Sequence, residues 1–176
     1  YSTDASAYKE KPYAVVWPQD VNDIQQAIRF AKTHKIPVIP RAAGTSLAGQ
    51  VVGKGIIIDI SKHFRRFINL DIEKRRVTVE PGVILDELNL FLKPHGLFFG
   101  PETSTSNRCT LSGMVGNNSC GSHSLVYGST RDHLYSVKMV LDDGNEYLFG
   151  EVNKTEYDEK LRLSNREGDI YRYIHN

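Results

Sequence analysis

The spacing of apolar positions changes repeatedly along the chain, and each period predicts a different element. Ala14-Val15-Val16-Trp17 is a short apolar run closed by Pro18, which predicts a buried strand. From Asp20 the period lengthens. Val21, Ile24, Ala27, Ile28 and Ala31 recur at helical spacing, with Gln25, Gln26, Arg29 and Lys32 on the other side. Asp20 suits an N-cap, because its carboxylate can accept from the unpaired N–H groups of a first turn, and Pro37 lies beyond the end. Ile36-Pro37-Val38-Ile39-Pro40 predicts a second strand and Gly55-Ile56-Ile57-Ile58-Asp59-Ile60 a third. Strand, helix, strand is a parallel crossover unit.

The second half predicts antiparallel pairing. Phe67-Ile68-Asn69-Leu70 and Arg76-Val77-Thr78-Val79-Glu80 flank a polar turn from Asp71 to Lys74. A helix follows Pro81-Gly82, with Leu85, Leu88 and Leu92 on one face, and stops at Pro94-His95-Gly96. Val137-Lys138-Met139-Val140-Leu141 and Tyr147-Leu148-Phe149 flank Asp142-Asp143-Gly144-Asn145, a hairpin turn of the Asp-Gly kind. The resulting expectation is an α+β protein. A small parallel α/β subdomain takes 1–62, a larger, mainly antiparallel one takes 63–150, and a helical region takes 151–176. In that last region Ile170, Tyr171 and Ile174 begin an apolar helical face. The chain lacks an initiator Met and this face breaks off as it starts, so further chain is expected to follow.

Composition narrows the classes. Twenty-two Lys and Arg against 21 Asp and Glu leave a net charge of +1, without the basic surplus that nucleic-acid binding needs. A hydrophobic share of 40% excludes disorder. Apolar runs are too short to span a membrane and no signal-peptide pattern opens the chain, so a cytoplasmic protein is expected, with peripheral attachment to the inner membrane left open. Two cysteines make no disulfide framework, and none of the six histidines has zinc-ligand spacing, so no metal site is expected. No nucleophile-elbow motif marks a Ser-His-Asp triad.

The chemistry concentrates in two stretches rich in Gly, Ser, Thr and Asn. The first is Pro40-Arg41-Ala42-Ala43-Gly44-Thr45-Ser46-Leu47-Ala48-Gly49, directly after the second strand. Gly permits positive φ and close approach to the backbone, and successive N–H groups in such a loop form a concave anion site. Thr45 and Ser46 add hydroxyls and Arg41 a fixed charge, a set suited to a phosphate or pyrophosphate. The alternative is a solvated loop between strands. Gly44-Thr45-Ser46 lacks the Lys of a P-loop, and the glycines lead to a strand rather than the long helix of a Rossmann fingerprint. The second stretch runs from Pro101-Glu102-Thr103-Ser104 through Cys109-Thr110-Leu111-Ser112-Gly113 to Asn117-Asn118-Ser119-Cys120-Gly121-Ser122. It offers many N–H, hydroxyl and amide partners to a large polar ligand. A long surface loop is the alternative, although long structureless loops are uncommon in compact domains unless functional.

The ordered set PVIPRAAGTSLAG, GIIIDIS, VTVEPGV, GLFFGPETST, CTLSGMVGNNSCG, YGSTRDH and VKMVLDDG resembles the FAD-binding domain of the vanillyl-alcohol oxidase and para-cresol methylhydroxylase superfamily. Within it, the likeness is nearest to the D-lactate, D-2-hydroxyglutarate and glycolate dehydrogenases, and covers the chain from about Tyr8 to Gly144. The resemblance implies two α/β subdomains with FAD between them. By the same resemblance, the amides of Arg41, Ala42, Ala43, Gly44, Thr45, Ser46 and Leu47 bind the pyrophosphate. Pro101, Glu102, Thr103, Ser104, Thr110, Gly113, Asn117, Asn118, Ser119, Gly121 and Ser122 line the flavin and its ribityl-diphosphate chain, and backbone groups at Val137 hold the adenine.

There are departures from the family pattern. Ser112 and Cys120 stand where many relatives carry Gly. The first loop has no His and Cys109 is followed by Thr110 rather than Pro, so non-covalent FAD is expected, with both cysteines as buried, inert thiols. His123 and His133 flank the second stretch and are candidates for a role near the flavin. The resemblance further implies oxidation of a small D-2-hydroxy acid, such as D-lactate or glycolate. A following cap domain would supply the catalytic and substrate-binding groups, and electrons would pass to a quinone, cytochrome or iron–sulfur partner. A non-catalytic nucleotide-binding or assembly module is the competing class. Within the superfamily, a flavin-dependent reductase of the cell-wall pathway and an ether-lipid transferase are alternatives.

Overall fold

The computed structural model describes residues 1–175. Its first layer is a parallel sheet, β1 (Ala14–Val16), β2 (Val38–Arg41) and β3 (Ile56–Asp59), in the order β1-β3-β2. Ile57 of β3 pairs with Val15 on one side and Ile39 on the other. The central position of β3 explains the apolar run Ile56-Ile57-Ile58, since all four of its residues, Asp59 included, are buried. Between β1 and β2 runs α1 (Val21–Thr33). Asp20 caps it by accepting from Asp23 N at 3.0 Å. Ile24, Ala27, Ile28 and Ala31 pack on Ile56 and Ile58, as their helical spacing predicts.

The second layer has its own core. The hairpin β4 (Phe67–Asp71) and β5 (Arg76–Val79) lies against α2 (Leu85–Leu92). Leu85, Leu88 and Leu92 meet Phe67, Leu70, Val77 and Val79 there. Arg66 forks onto the buried Glu80 carboxylate at 2.9 and 2.7 Å. Burial raises the Glu80 carboxyl, but the Arg66 bonds outweigh it and hold the group below the usual range. Gly82 sits where the two layers touch: a Cβ there would come 2.6 Å from Phe64 O and 2.8 Å from Ile60 O, so no other residue fits.

The structure differs from expectation at the second polar stretch. It contains a helix, α3 (Leu111–Asn117), followed by the short α4 (Ser124–Tyr127). Ser112, Gly113, Gly116 and Asn117 are weak helix formers, so propensity does not announce α3. Tertiary bonds supply what propensity lacks. Leu111 N donates to Val83 O at 2.9 Å and Ser112 N to Pro81 O at 3.1 Å, while Leu111 and Met114 enter the core beside Leu85 and Leu88.

The hairpin β6 (Ser136–Val140) and β7 (Glu146–Gly150) follows, paired in register Val137 to Phe149. Arg29 of α1 reaches its turn, donating to Gly144 O at 3.2 Å. Then come α5 (Lys154–Leu161) and α6 (Arg166–His175). In α6, Tyr171 is buried while Ile174 faces solvent, so the expected apolar face is only partly covered. No helix among the described residues is long and apolar enough to cross a membrane.

Candidate functional site

The connection leaving β2 must turn back to the start of β3, because the two strands are parallel neighbours. It turns through Gly44 at φ +68° and Gly49 at φ +74°, conformations that favour glycine. Among the described residues, no protein acceptor takes the N–H groups of Gly44, Thr45, Ser46 or Leu47. Unspent amides around a left-handed glycine form a concavity of positive potential. Gln50 braces the loop from inside, with its side-chain oxygen held by Ser46 Oγ and by Ala48 N at 3.2 Å. The Arg41 guanidinium lies against Gly44, where a Cβ would stand 2.6 Å from its Nη2, and donates to backbone carbonyls, those of Thr3 at 2.9 Å and Val51 at 3.4 Å.

A second wall is built from 101–104, α3 and 118–123. Glu102 buckles its ends together. Its Oε1 accepts from Ser122 Oγ at 2.7 Å, from His123 N at 3.2 Å and lies 2.7 Å from His123 Nδ1. The Ser122 hydroxyl first, and then His123, pull the Glu102 carboxyl from its usual 4.5 to about 2. Gly121 lets the segments close this far, since a Cβ there would stand 2.4 Å from Glu102 Cγ. Thr110 caps α3 through Gly113 N at 3.4 Å. Asn118 ends α3 in the left-handed region at φ +46°, and its Oδ1 accepts from Arg131 N at 3.0 Å. The Ser119 carbonyl accepts from Thr130 N and Oγ1, which fixes the exit of the turn. Among the described residues, the N–H groups of Glu102, Thr103 and Ser104, and those of Cys120, Gly121 and Ser122, also have no protein acceptor.

The two walls meet along α3. A Cβ on Gly113 would lie 3.3 Å from Ala42 Cβ, and Gln50 Nε2 donates to Asn117 Oδ1 at 3.4 Å. Gln50 was not singled out by its sequence position, since a polar residue following a glycine loop carries no signal until its partners are known. Val137 lies within β6 opposite Phe149, outside both walls. His133 places Nε2 2.6 Å from Tyr127 O, and His123 is engaged by Glu102. Cys109 is buried in the core beside Leu111, but Cys120 is exposed, contrary to the expectation of two buried thiols. Among the described residues, no group of three or more His, Cys, Asp or Glu side chains could hold a metal ion.

Residues 12–148 match the family model described as the FAD binding domain, and this match spans both walls. The chain belongs to this FAD-binding family. Over 178 aligned residues it is 43% identical to D-2-hydroxyglutarate dehydrogenase of Escherichia coli K12, covering 99% of this chain and 17% of that protein. It is 33% identical over 147 residues to glycolate oxidase subunit GlcD of Bacillus subtilis 168, covering 82% of this chain and 31% of that protein. The chain thus spans 16–17% of the length of the curated D-2-hydroxyglutarate dehydrogenases it matches. Among solved structures, 6-hydroxy-D-nicotine oxidase of Arthrobacter nicotinovorans superposes with a TM-score of 0.76 at 18% identity, covering 89% of this chain and 34% of that one. That likeness shows the para-cresol methylhydroxylase type of FAD-binding fold.

The residues of this FAD-binding chain fit the cofactor of its family. FAD brings a doubly charged pyrophosphate, a chain of hydroxyls and flat rings. It therefore needs amide donors that the protein has not already used. The runs at 44–47, 102–104 and 120–122 supply them, and Gly44, Gly113 and Gly121, by admitting Arg41, Ala42 and Glu102 against their backbone, let these runs close together. The first loop contains no His, consistent with non-covalent binding.

Proposed function

We propose that this chain is the FAD-holding part of an oxidoreductase that oxidises a small D-2-hydroxy acid such as D-lactate, D-2-hydroxyglutarate or glycolate. The observation that carries the reading is the convergence of two amide-bearing walls at the contact of Ala42 with Gly113. Bound FAD supplies a two-electron acceptor. The work of this chain is to hold and orient it. The amides of 44–47 face the pyrophosphate, with Arg41, Ala42 and Ala43 shaping the entry to that loop. Pro101, Glu102, Thr103, Ser104, Thr110, Gly113 and the turn from Asn117 to Ser122 line the remainder, and the backbone at Val137 holds the adenine. With the chain divided into a parallel part at 1–62, an antiparallel part at 63–150 and a helical region at 151–176, the cofactor lies between the first two.

The substrate class rests on the names of the relatives, which are a D-2-hydroxyglutarate dehydrogenase and a glycolate oxidase subunit. Recognition of the acid and delivery of electrons to a quinone, cytochrome or iron–sulfur partner are assigned to parts of a longer protein. The test is a titration of the chain with FAD, followed by flavin fluorescence and visible absorption. Saturable quenching with a shifted flavin band is expected. A protein of the relatives' length that shows no flavin binding would refute the reading. One that binds FAD but reduces no artificial acceptor with any D-2-hydroxy acid would refute the substrate class alone.

A further inference from the structure

Residues 1–10, ahead of β1, have no part in either core, yet they are bonded to the glycine loop along its length. Ala5 N donates to Gly44 O at 3.1 Å. Arg41, at the start of the loop, donates to Thr3 O at 2.9 Å and to Tyr1 O at 3.5 Å, with its guanidinium 5.2 Å from the centre of the Tyr1 ring. The Tyr8 ring presses on Gly49, where a Cβ would stand 2.6 Å from Tyr8 Cδ2. The segment is itself anchored on the sheet. Tyr1 Oη donates to the buried Asp59 at 2.7 Å and accepts from Trp17 Nε1 at 2.6 Å. A bridge between Thr3 and Lys9 closes it into a turn.

We propose that residues 1–10 are a positioning strap that fixes the glycine loop in its anion-binding shape, through the juxtaposition of Ala5 with Gly44, Arg41 with Thr3, and Tyr8 with Gly49. The physical need is clear. A loop with two left-handed glycines has much backbone freedom to lose, and amides that spend no bonds on the protein cannot hold it in place. The strap binds the loop through a carbonyl, a guanidinium and a glycine face, so it leaves the amides of 44–47 unspent. Arg41 is thereby a positioning residue rather than a ligand of the phosphate. The inference rests on the FAD reading only for the identity of the ligand.

The test uses Tyr8→Ala and Ala5→Pro, with Tyr8→Phe as the conservative control, in the chain described above. Tyr8 is 63% exposed, so its truncation leaves both cores intact. In ligand-free protein, backbone N–H order parameters at 44–49 are expected to fall toward about 0.6 in Tyr8→Ala and Ala5→Pro, with β3 and α2 staying at about 0.85. FAD affinity is expected to fall about tenfold in the same two variants and to stay at the wild-type value in Tyr8→Phe. Unchanged loop order parameters in both variants overturn the strap whether or not FAD binds. Absence of flavin binding by the wild-type chain counts against the FAD reading and leaves the order parameters to decide the strap. Arg41→Lys separates positioning from direct contact. One ammonium cannot span the carbonyls of Thr3 and Val51, so Lys should weaken FAD binding as much as Arg41→Met does, and retention of affinity by Lys overturns the assignment of Arg41.

Discussion

Substitution of Gly113 by Val tests the meeting of the two walls directly. An atom at the Cβ position of residue 113 already lies 3.3 Å from Ala42 Cβ and 3.5 Å from Thr110 Oγ1. Favourable carbon–carbon contact begins at about 3.5 Å, so the first added carbon is tight by a few tenths of an ångström. The two further methyl groups of Val have no room on that side. Overpacking of this kind costs about 1–3 kcal/mol. Replacing Gly within a helix returns a few tenths of a kcal/mol, which leaves a net loss of about 1–2 kcal/mol. For a chain of this size that lowers Tm by roughly 2–8 °C. Urea denaturation would read the loss with m unchanged, and a parallel FAD titration should show weaker binding because the walls are forced apart. The deciding arm adds Ala42→Gly to Gly113→Val, which removes the atom being struck. A coupling of about 1 kcal/mol or more is expected between the two substitutions. Additivity within about 0.5 kcal/mol would refute the contact, and with it the shared crevice.

Two further outcomes follow from the second wall. Glu102 has its folded carboxyl lowered from 4.5 to about 2, so the stability it contributes is complete above 4.5 and is lost as pH falls toward 2. Exchange of the His123 amide, which Glu102 accepts, should therefore quicken as pH drops through that window once the intrinsic rate is corrected, and in Glu102→Gln it should be fast at all pH values; a flat wild-type profile would show that the buckle does not order the turn. Of the two thiols, a thiol reagent should label exposed Cys120 in the native protein and reach buried Cys109 only after unfolding, with FAD slowing the first reaction; rapid double labelling of native protein would contradict the placement of Cys109 in the core.

Local physics carried much of the fold. The face of α1 is written in Ile24, Ala27, Ile28 and Ala31, and its start in Asp20, because helix period and capping act over a few residues. The central place of β3 follows from an apolar run with no polar alternation. The hairpins at 67–79 and 136–150 follow from polar turns between apolar strands. By contrast, α3 is concealed by its glycines, and α5 has no buried residue to give it an apolar face. The latter falls in the region expected to be helical, 151–176, and its start is marked locally by the capping box of Asn153 and Glu156.

The same division holds at the site. Gly44, Gly49, Gly113 and Gly121 are visible in the chain as places where the backbone is bare, and the hydroxyl and amide residues around them as a polar lining. What each does depends on partners far away in sequence: Ala42 on Gly113, Gln50 on Asn117, Glu102 on Ser122 and His123, Arg41 on Thr3. Residue type and spacing thus determined by themselves most of the elements, though not α3, together with the likeness to a flavin-binding family and the two stretches that bear the chemistry. Tertiary structure alone decided which amides stay free, where the Arg41 and Glu102 charges are spent and how the stretches face each other. The reason is that hydrogen bonds and steric contacts are settled by distances through space, and a chain's local pattern fixes those only within a helical turn or a strand pair.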